Sequence, residues 1–321
     1  MLSYVIKRVL LLIPIMLCVS FIVFWIMDMT PGDPAVIILG EGHTEEEYEA
    51  VREEYGLNDP FLVRYANYIK DILKGDFGRS WRTGRSVSEE TSKRFVDTLK
   101  LTILSMILAI FIGIPLGVVS AVKQYSVVDS ISSVTAMFLA AVPPFWLGMM
   151  LILAFALYLG WFPSYGLDTL KHYVLPVLTI SLPKAAALLR FSRSAMLETI
   201  RMDYIRTART KGAPESTVIF KHALRNALLP IITVLGVHFG HLLGGVVVIE
   251  QVFAIAGMGT YALTGIHNKD VPQVVGSVII LSAVFCIIML IVDILYALVD
   301  PRTRSIFEKN KIRLPVFGRK K

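Results

Sequence analysis

Six stretches of this chain, residues 9–29, 101–122, 132–159, 173–194, 228–253 and 274–299, are each apolar for about twenty residues or more. A helix rising ~1.5 Å per residue needs that length to cross a ~30 Å hydrocarbon core. Lipid offers the backbone no hydrogen-bond partner, so runs of this kind must satisfy their amides internally, as helices. Only 18% of the 321 residues are charged and 55% are hydrophobic, which leaves too little charge for the surface of a soluble domain of this size. The predicted fold class is an all-α polytopic membrane protein with six transmembrane helices and a small helical extracytoplasmic loop region. Lys7 and Arg8 precede the first run, but that run is too long for the apolar core of a signal peptide and no small-x-small pattern follows it. It reads as an uncleaved first helix. Cys18 and Cys286 fall inside spans and read as small packing residues.

The loops set the expected orientation. If the N-terminus is cytoplasmic, the inner segments collect nineteen Lys and Arg, against Lys171 and Lys269 alone in the two short outer loops. Ten more basic residues lie in 30–100, but segments beyond ~60 residues translocate largely regardless of charge. Both termini are therefore expected inside a bacterial or archaeal cell membrane, and the basic pI of about 9.3 follows from topology without invoking nucleic acid. The organisation is then a cytoplasmic N-terminus with the first helix (1–29), an extracytoplasmic loop region (30–100), a permease core of five helices (101–299) with a cytoplasmic loop at 195–227, and a cytoplasmic tail (300–321).

Within 30–100, Thr44-Glu-Glu-Glu47 has the capping-box pattern ahead of an acidic helix to Tyr55, and Phe61, Tyr65, Tyr68 and Ile72 recur at helical spacing after Pro60. This small cap serves as a solvated loop or as a platform for a soluble partner. Pro143-Pro144, Pro176, Pro183 and Pro230 interrupt or kink spans, which is tolerated where neighbouring helices or a wet cavity satisfy the freed carbonyls. Glycines at 113, 117, 148, 236, 240, 244 and 245 suit close helix packing, around a path or in an inert bundle.

Few residues offer chemistry. No Gly-x-x-x-x-Gly-Lys-Ser/Thr occurs, so the chain is not expected to cradle nucleotide phosphates, and no metalloprotease or nucleophile-elbow pattern is present. It is not expected to be an enzyme. His238 and His241 lie one helical turn apart, but two imidazoles without a third ligand make a poor metal site, so a polar lining is the better reading. Lys184 sits about ten residues from either end of its run, ~15 Å from each interface. A cation at that depth costs ~2.5–3.5 kcal/mol on insertion scales and is expected to face a cavity, where it would attract an anionic group of a cargo, or to pair internally. Glu250 near one end of the fifth run and Asp293 in the sixth read as gate or packing contacts. Lys184, Pro143, Pro144, His238, His241 and Glu250 are the candidate translocation-path residues.

The segment 190–227 concentrates eight Lys and Arg between two spans. One short helix is expected from Asp203 to Lys211, then a break at Gly212-Ala213-Pro214, then a second helix with Ile219, Phe220, Ala223, Leu224 and Ala227 on one face. Ala208 and Gly212, one turn apart, form a small-residue patch onto which another backbone could close. An amphipathic helix lying on anionic lipid is the alternative. The helix–break–helix arrangement favours docking to a protein.

Ala208-x-x-x-Gly212 followed by Leu229-Pro230 resembles the EAA loop of ABC-importer permeases, with Arg206 where an acid is usual. Arg206-Thr-Ala-Arg-Thr-Lys-Gly212 and His222-Ala-Leu-Arg-Asn-Ala-Leu-Leu-Pro230 are similar to its peptide/nickel branch, as are Thr30-Pro-Gly-Asp-Pro34, Gly56-Leu-Asn-Asp-Pro60, Gly75-Asp-Phe-Gly78 and Asp300-Pro-Arg302. The resemblance implies a type I importer permease fold and a loop that couples to a cytoplasmic ATPase through Asp203, Arg206, Thr207, Ala208, Arg209, Lys211, Gly212, Ala213 and Pro214. It also implies a homologous second permease, two ATP-binding subunits that hold ATP and Mg, and an extracytoplasmic binding protein. The expected cargo is a di- or oligopeptide, with a nickel or metal-chelate importer as alternative. An ion-coupled secondary transporter is the rival class, and it lacks mid-span acids here.

Overall fold

The computed structural model describes residues 2–299. Helix α1 (Leu2–Asp28) leads into three short helices, α2 (Pro34–Leu39), α3 (Glu45–Glu54) and α4 (Phe61–Ile72). The core follows as α5 (Val87–Val122), α6 (Val127–Ala141), α7 (Pro144–Leu151) with a π-helical extension Ile152–Tyr158, and α8 (Leu170–Ile200). Next come α9 (Asp203–Thr210), α10 (Glu215–Thr217), α11 (Leu224–Val252), α12 (Met258–Asn268) and α13 (Val271–Val299), with the π-helical turn Val218–Ala223 joining α10 to α11. The tail expected at 300–321 lies outside the described residues.

Among the described residues, five helices are long and apolar enough to cross a membrane, and a bent pair, Val127–Ala141 with Pro144–Tyr158, makes up to a sixth crossing. The third run is therefore not one rod. Its halves meet at 103°, because Pro144 forbids the helical conformation at Pro143 and neither proline has an N–H to donate. The expected second loop helix is also not separate from the fifth span. The chain stays helical from α10 into α11, and Pro230 lies inside α11 instead of at a break. Helix α12 stands where only a short loop was expected.

Two helices dominate the packing. α5 and α8 cross with backbones almost touching: a Cβ on Gly113 would lie 2.6 Å from the Ala185 carbonyl oxygen, and one on Gly117 2.6 Å from that of Leu189. No other residue type allows this approach. Around the crossing, Leu101 and Met106 of α5, Leu175 and Ile180 of α8, Leu242, Val246 and Ile249 of α11, and Phe253 just after α11 form the main buried cluster. Helix α13 packs on α1, α11 and α12.

Residues 30–86 form a cap bound to one end of this bundle. The Thr44–Glu47 capping box is present, with Glu47 N–H to Thr44 Oγ1 at 3.3 Å and Thr44 N–H to Glu47 Oε2 at 2.8 Å. Phe61, Tyr65, Tyr68 and Ile72 lie in a helix, α4, as their spacing predicts, and pack on Phe24 of α1 and on Val275 and Ile279 of α13. Arg52 bridges Asp33, Glu45 and Glu49, and holds the Asp33 carboxyl below the usual carboxylate range. Buried Asp270 accepts from Ser80 Oγ at 2.5 Å and from the Gln273 amide at 3.2 Å, which ties the 75–86 turn to the start of α13.

Gly117→Val should force α5 and α8 apart and destabilise the purified protein by about 1–3 kcal/mol. Gly244→Ala, whose Cβ meets nothing within 4 Å of this chain, should be neutral or slightly stabilising. Thermal unfolding of the two variants in detergent separates the expectations.

Candidate functional site

At the end of the bundle opposite the cap, α9 lies across the ends of three long helices. Ile205 is fully buried and Ala208 half-buried, in a cluster with Val118 and Ala121 of α5, Ala195 and Met196 of α8, and Val218, Ala223, Ala227 and Ile231 of the α10–α11 rod. The opposite face, Asp203, Tyr204, Arg206, Thr207 and Arg209, is exposed. An eight-residue helix is too short to stand alone, so the apolar seat under Ile205 fixes it.

The helix ends in a Schellman motif. Gly212 N–H reaches the Arg209 carbonyl at 3.0 Å and Ala213 N–H the Ala208 carbonyl at 3.2 Å, with Gly212 at φ +79°, where a Cβ is strained. Arg209 then clasps Glu215 across the corner, Nε to Oε2 at 3.1 Å and Nη2 to Oε1 at 2.6 Å. Both side chains are largely exposed, so the pair shapes the elbow and adds little stability. Pro214 caps α10 with φ −61°. Lys211 and Pro214 are exposed and Ala213 half-buried.

Two details of the expected surface change. Ala208 turns partly into its own protein, so the small-residue patch reduces to Gly212, which is needed for its left-handed conformation. Phe220 is 63% exposed, whereas Ile219, Ala223, Leu224 and Ala227 face the bundle as expected, joined by Val218 and Ile231. The rod turns through a π-helical segment at 218–223, which shifts the face that an α-helical wheel assigns.

Beside the elbow sits a buried ion pair. Asp129, 4% exposed at the start of α6, accepts from Arg193 of α8 through Nε at 2.6 Å and Nη2 at 2.8 Å. It also accepts from the Tyr125 amide at 2.9 Å and from Ser120 Oγ. Every lone pair has a donor, the condition under which a buried carboxylate is tolerated. This lock joins the α5–α6 corner to α8 and was not anticipated. The available sequence signal is Ser126-x-x-Asp129, an N-cap whose Ser126 Oγ accepts from the Asp129 amide at 3.3 Å.

The candidate path residues divide. Lys184 of α8 and His238 of α11 are half-buried on helices that pack on each other, and His241 is exposed. Among the described residues none forms an ion pair with Lys184, and no group of three His, Cys, Asp or Glu that could hold a metal occurs. Pro143 and Pro144 form the sharp bend between α6 and α7, away from these cations in sequence. Glu250 is fully buried at the cap end. It accepts from Thr98 Oγ1 at 2.6 Å, from Thr260 N–H at 2.7 Å and from Thr260 Oγ1 at 3.2 Å. Thr98 Oγ1 also receives the Met258 amide at 2.8 Å. Glu250 is thus a latch joining α5, α11 and α12. It is a packing contact in this conformation.

The fold matches the inward-facing methionine ABC transporter MetNI in its native crystal form with a TM-score of 0.55, over 65% of this chain and 96% of that one, at 21% identity. A second crystal form of that transporter gives 0.53 at 19% identity, over 66% of this chain and 96% of that one. Residues 113–305 match the family described as binding-protein-dependent transport system inner membrane component, and residues 1–102 its N-terminal companion. The glutathione transport system permease protein GsiC of Escherichia coli (strain K12) is 41% identical over 304 residues, 95% of this chain and 99% of that protein. GsiC of Salmonella typhi gives the same figures. The chain belongs to the binding-protein-dependent transport system inner membrane component family, as a multi-pass permease of the dipeptide/oligopeptide-type ABC importers.

Asp129→Ala should cost about 3 kcal/mol by stranding Arg193. The Asp129→Ala/Arg193→Ala double variant should lose clearly less than the sum of the two single changes. A double-mutant cycle on thermal unfolding in detergent measures the coupling.

Proposed function

We propose that this chain is one of two transmembrane subunits of an ATP-driven importer of short peptides, and that its elbow receives the stroke of a cytoplasmic ATPase. One observation carries the reading. The elbow is seated on the ends of α5, α8 and the α10–α11 rod while its polar face, Asp203, Arg206, Thr207, Arg209 and Lys211, is left outward. A lever needs this division, an apolar grip on the moving parts and a polar face for the engine. Gly212 and Pro214 fix the corner, and Ala208 and Ala213 close it onto the bundle.

The elbow side is cytoplasmic in this reading, supported by the excess of Lys and Arg on the inner segments. Two ATP-binding subunits hold ATP and Mg and perform the hydrolysis, so this chain performs none. A homologous permease completes the path, and an extracytoplasmic binding protein delivers cargo to the cap side. Closure of the ATPase pair shifts α9 and tilts α5, α8 and α11 together between inward- and outward-open states. The Glu250 latch and the Pro143–Pro144 bend are the gate-side elements of this motion. GsiC, named for glutathione transport, favours a peptide cargo over a nickel complex.

Gly212→Trp should insert into the membrane at wild-type level and lose most ATP-driven uptake in proteoliposomes holding the full complex. Wild-type uptake would remove the coupling role. A cysteine placed at Thr207 should react with a membrane-impermeant maleimide only in inside-out vesicles. Labelling in right-side-out vesicles would reverse the assigned orientation.

A further inference from the structure

Between α1, the cap helices and the α12–α13 turn lies a cavity of about 610 Å³, within the roughly 300–1,000 Å³ of small-molecule sites. Four carboxylates and four cations line it. Two pairs answer each other: Arg64 meets Asp28 at 2.6 Å, and Arg52 meets Asp33. Asp71 takes Lys74 at 2.8 Å. Among the described residues this leaves Asp59, Arg79 and Lys269 with no opposite charge. The Arg79 guanidinium donates to the Gly84 carbonyl at 3.3 Å, and the Lys269 ammonium donates to the Pro31 carbonyl. Tyr68 also lines the cavity, and its hydroxyl is buried with no hydrogen-bond partner among the described residues. A buried phenol ordinarily has one.

The walls are held in place by the chain itself. Arg64 donates Nε to the Asp59 carbonyl at 3.2 Å while Nη2 holds Asp28 of α1, which anchors the Asp59 turn to that helix. A Cβ on Gly78 would lie 3.6 Å from Pro272 Cβ, so the turn that carries Arg79 rests on the start of α13. Gly32 faces Lys269, where a Cβ would come within 3.2 Å of Nζ.

Unmet charges of both signs select the ligand. A simple cation would leave Arg79 and Lys269 unanswered, and a phosphate would meet Asp59. Among the described residues there is no group of three His, Cys, Asp or Glu that could hold a metal. A short peptide with free termini carries both charges, and its peptide groups can bond the Tyr68 hydroxyl.

We propose that the cap cavity binds a short zwitterionic peptide on the permease itself, with Asp59 taking the terminal ammonium and Arg79 and Lys269 the terminal carboxylate. The inference rests on the peptide-importer reading and gives cargo a holding site outside the spanning helices, apart from the binding protein. Asp59 and Arg79 are exposed, so water and salt screen their charges and the peptide is released readily. An internal segment of a binding protein has no free termini, so dependence on the termini separates the two occupants.

The test is equilibrium dialysis of radiolabelled trialanine against the permease–ATPase complex in lipid nanodiscs, without binding protein. Saturable binding is expected, competed by unlabelled trialanine and not by N-acetyl-trialanine amide, whose ends carry no charge. Arg79→Gln should weaken trialanine binding about fivefold, the scale of a well-formed exposed ion pair, and leave trialanine amide unaffected. Asp59→Asn should weaken both by a similar factor. No binding to the wild type, equal competition by the blocked peptide, or unchanged affinity in both variants would overturn the inference. Weaker docking of the binding protein to these variants, with no trialanine bound, would also overturn it and assign the cavity to a segment of that protein. ATP-dependent trialanine uptake by the complete importer in proteoliposomes tests the parent reading separately. Its absence in the wild type would sink the peptide-importer reading, whereas uptake without cavity binding would sink this inference alone.

Discussion

The approach of α5 to α8 at Gly113 and Gly117 places one helix backbone against the other with no side chain between them. Within lipid there is no hydrophobic drive to join two apolar helices, so close van der Waals contact must supply the adhesion. Once these helices meet, the rest has a surface to pack on. Leu242, Val246 and Ile249 bring α11 onto the pair, and the Asp129–Arg193 lock pins the α5–α6 corner to α8 a few turns further along. The Glu250–Thr98 latch closes the other end.

The same crossing carries mechanical consequences. The hydrophobic cluster under Ile205 draws on α5, α8 and the α10–α11 rod together, so a displacement of α9 is felt by all three. Packed interiors respond to such a push by moving as bodies. The elbow is short, and the Schellman turn at Gly212 and the Arg209–Glu215 clasp keep its shape while it moves. Two polar locks, one at each end of the crossing, are then the places where the bundle would yield.

Much of this was legible from residues alone. Span number, the Thr44–Glu47 cap, the amphipathic α4 and the helix–break–helix at Gly212 each rest on local rules of periodicity, capping and glycine conformation, and each is present. What was not legible depends on register or distant partners. The π-helical turn at Val218–Ala223 rotates Phe220 outward, which an α-helical wheel cannot foresee. The Pro143–Pro144 pair was seen as an interruption, but local rules give a break and not its 103° angle. Glu250 stood out as an acid near one end of the fifth run, yet its partner Thr98 lies 152 residues away, and Asp129 and Arg193 are separated by 64. Helix α12 escaped because its short amphipathic pattern is sheltered by the Glu250 latch and not by its own periodicity.

The central claim is that the Asp203–Pro214 elbow is gripped from the inner side by a nucleotide-hydrolysing subunit. Amine-reactive cross-linking from Lys211 in intact membranes, read by mass spectrometry with and without ATP, tests it most directly. The account predicts cross-links from Lys211 to an ATP-binding subunit whose yield changes when nucleotide binds. Cross-links to extracytoplasmic proteins, or none to any nucleotide-binding partner in an active preparation, would contradict it.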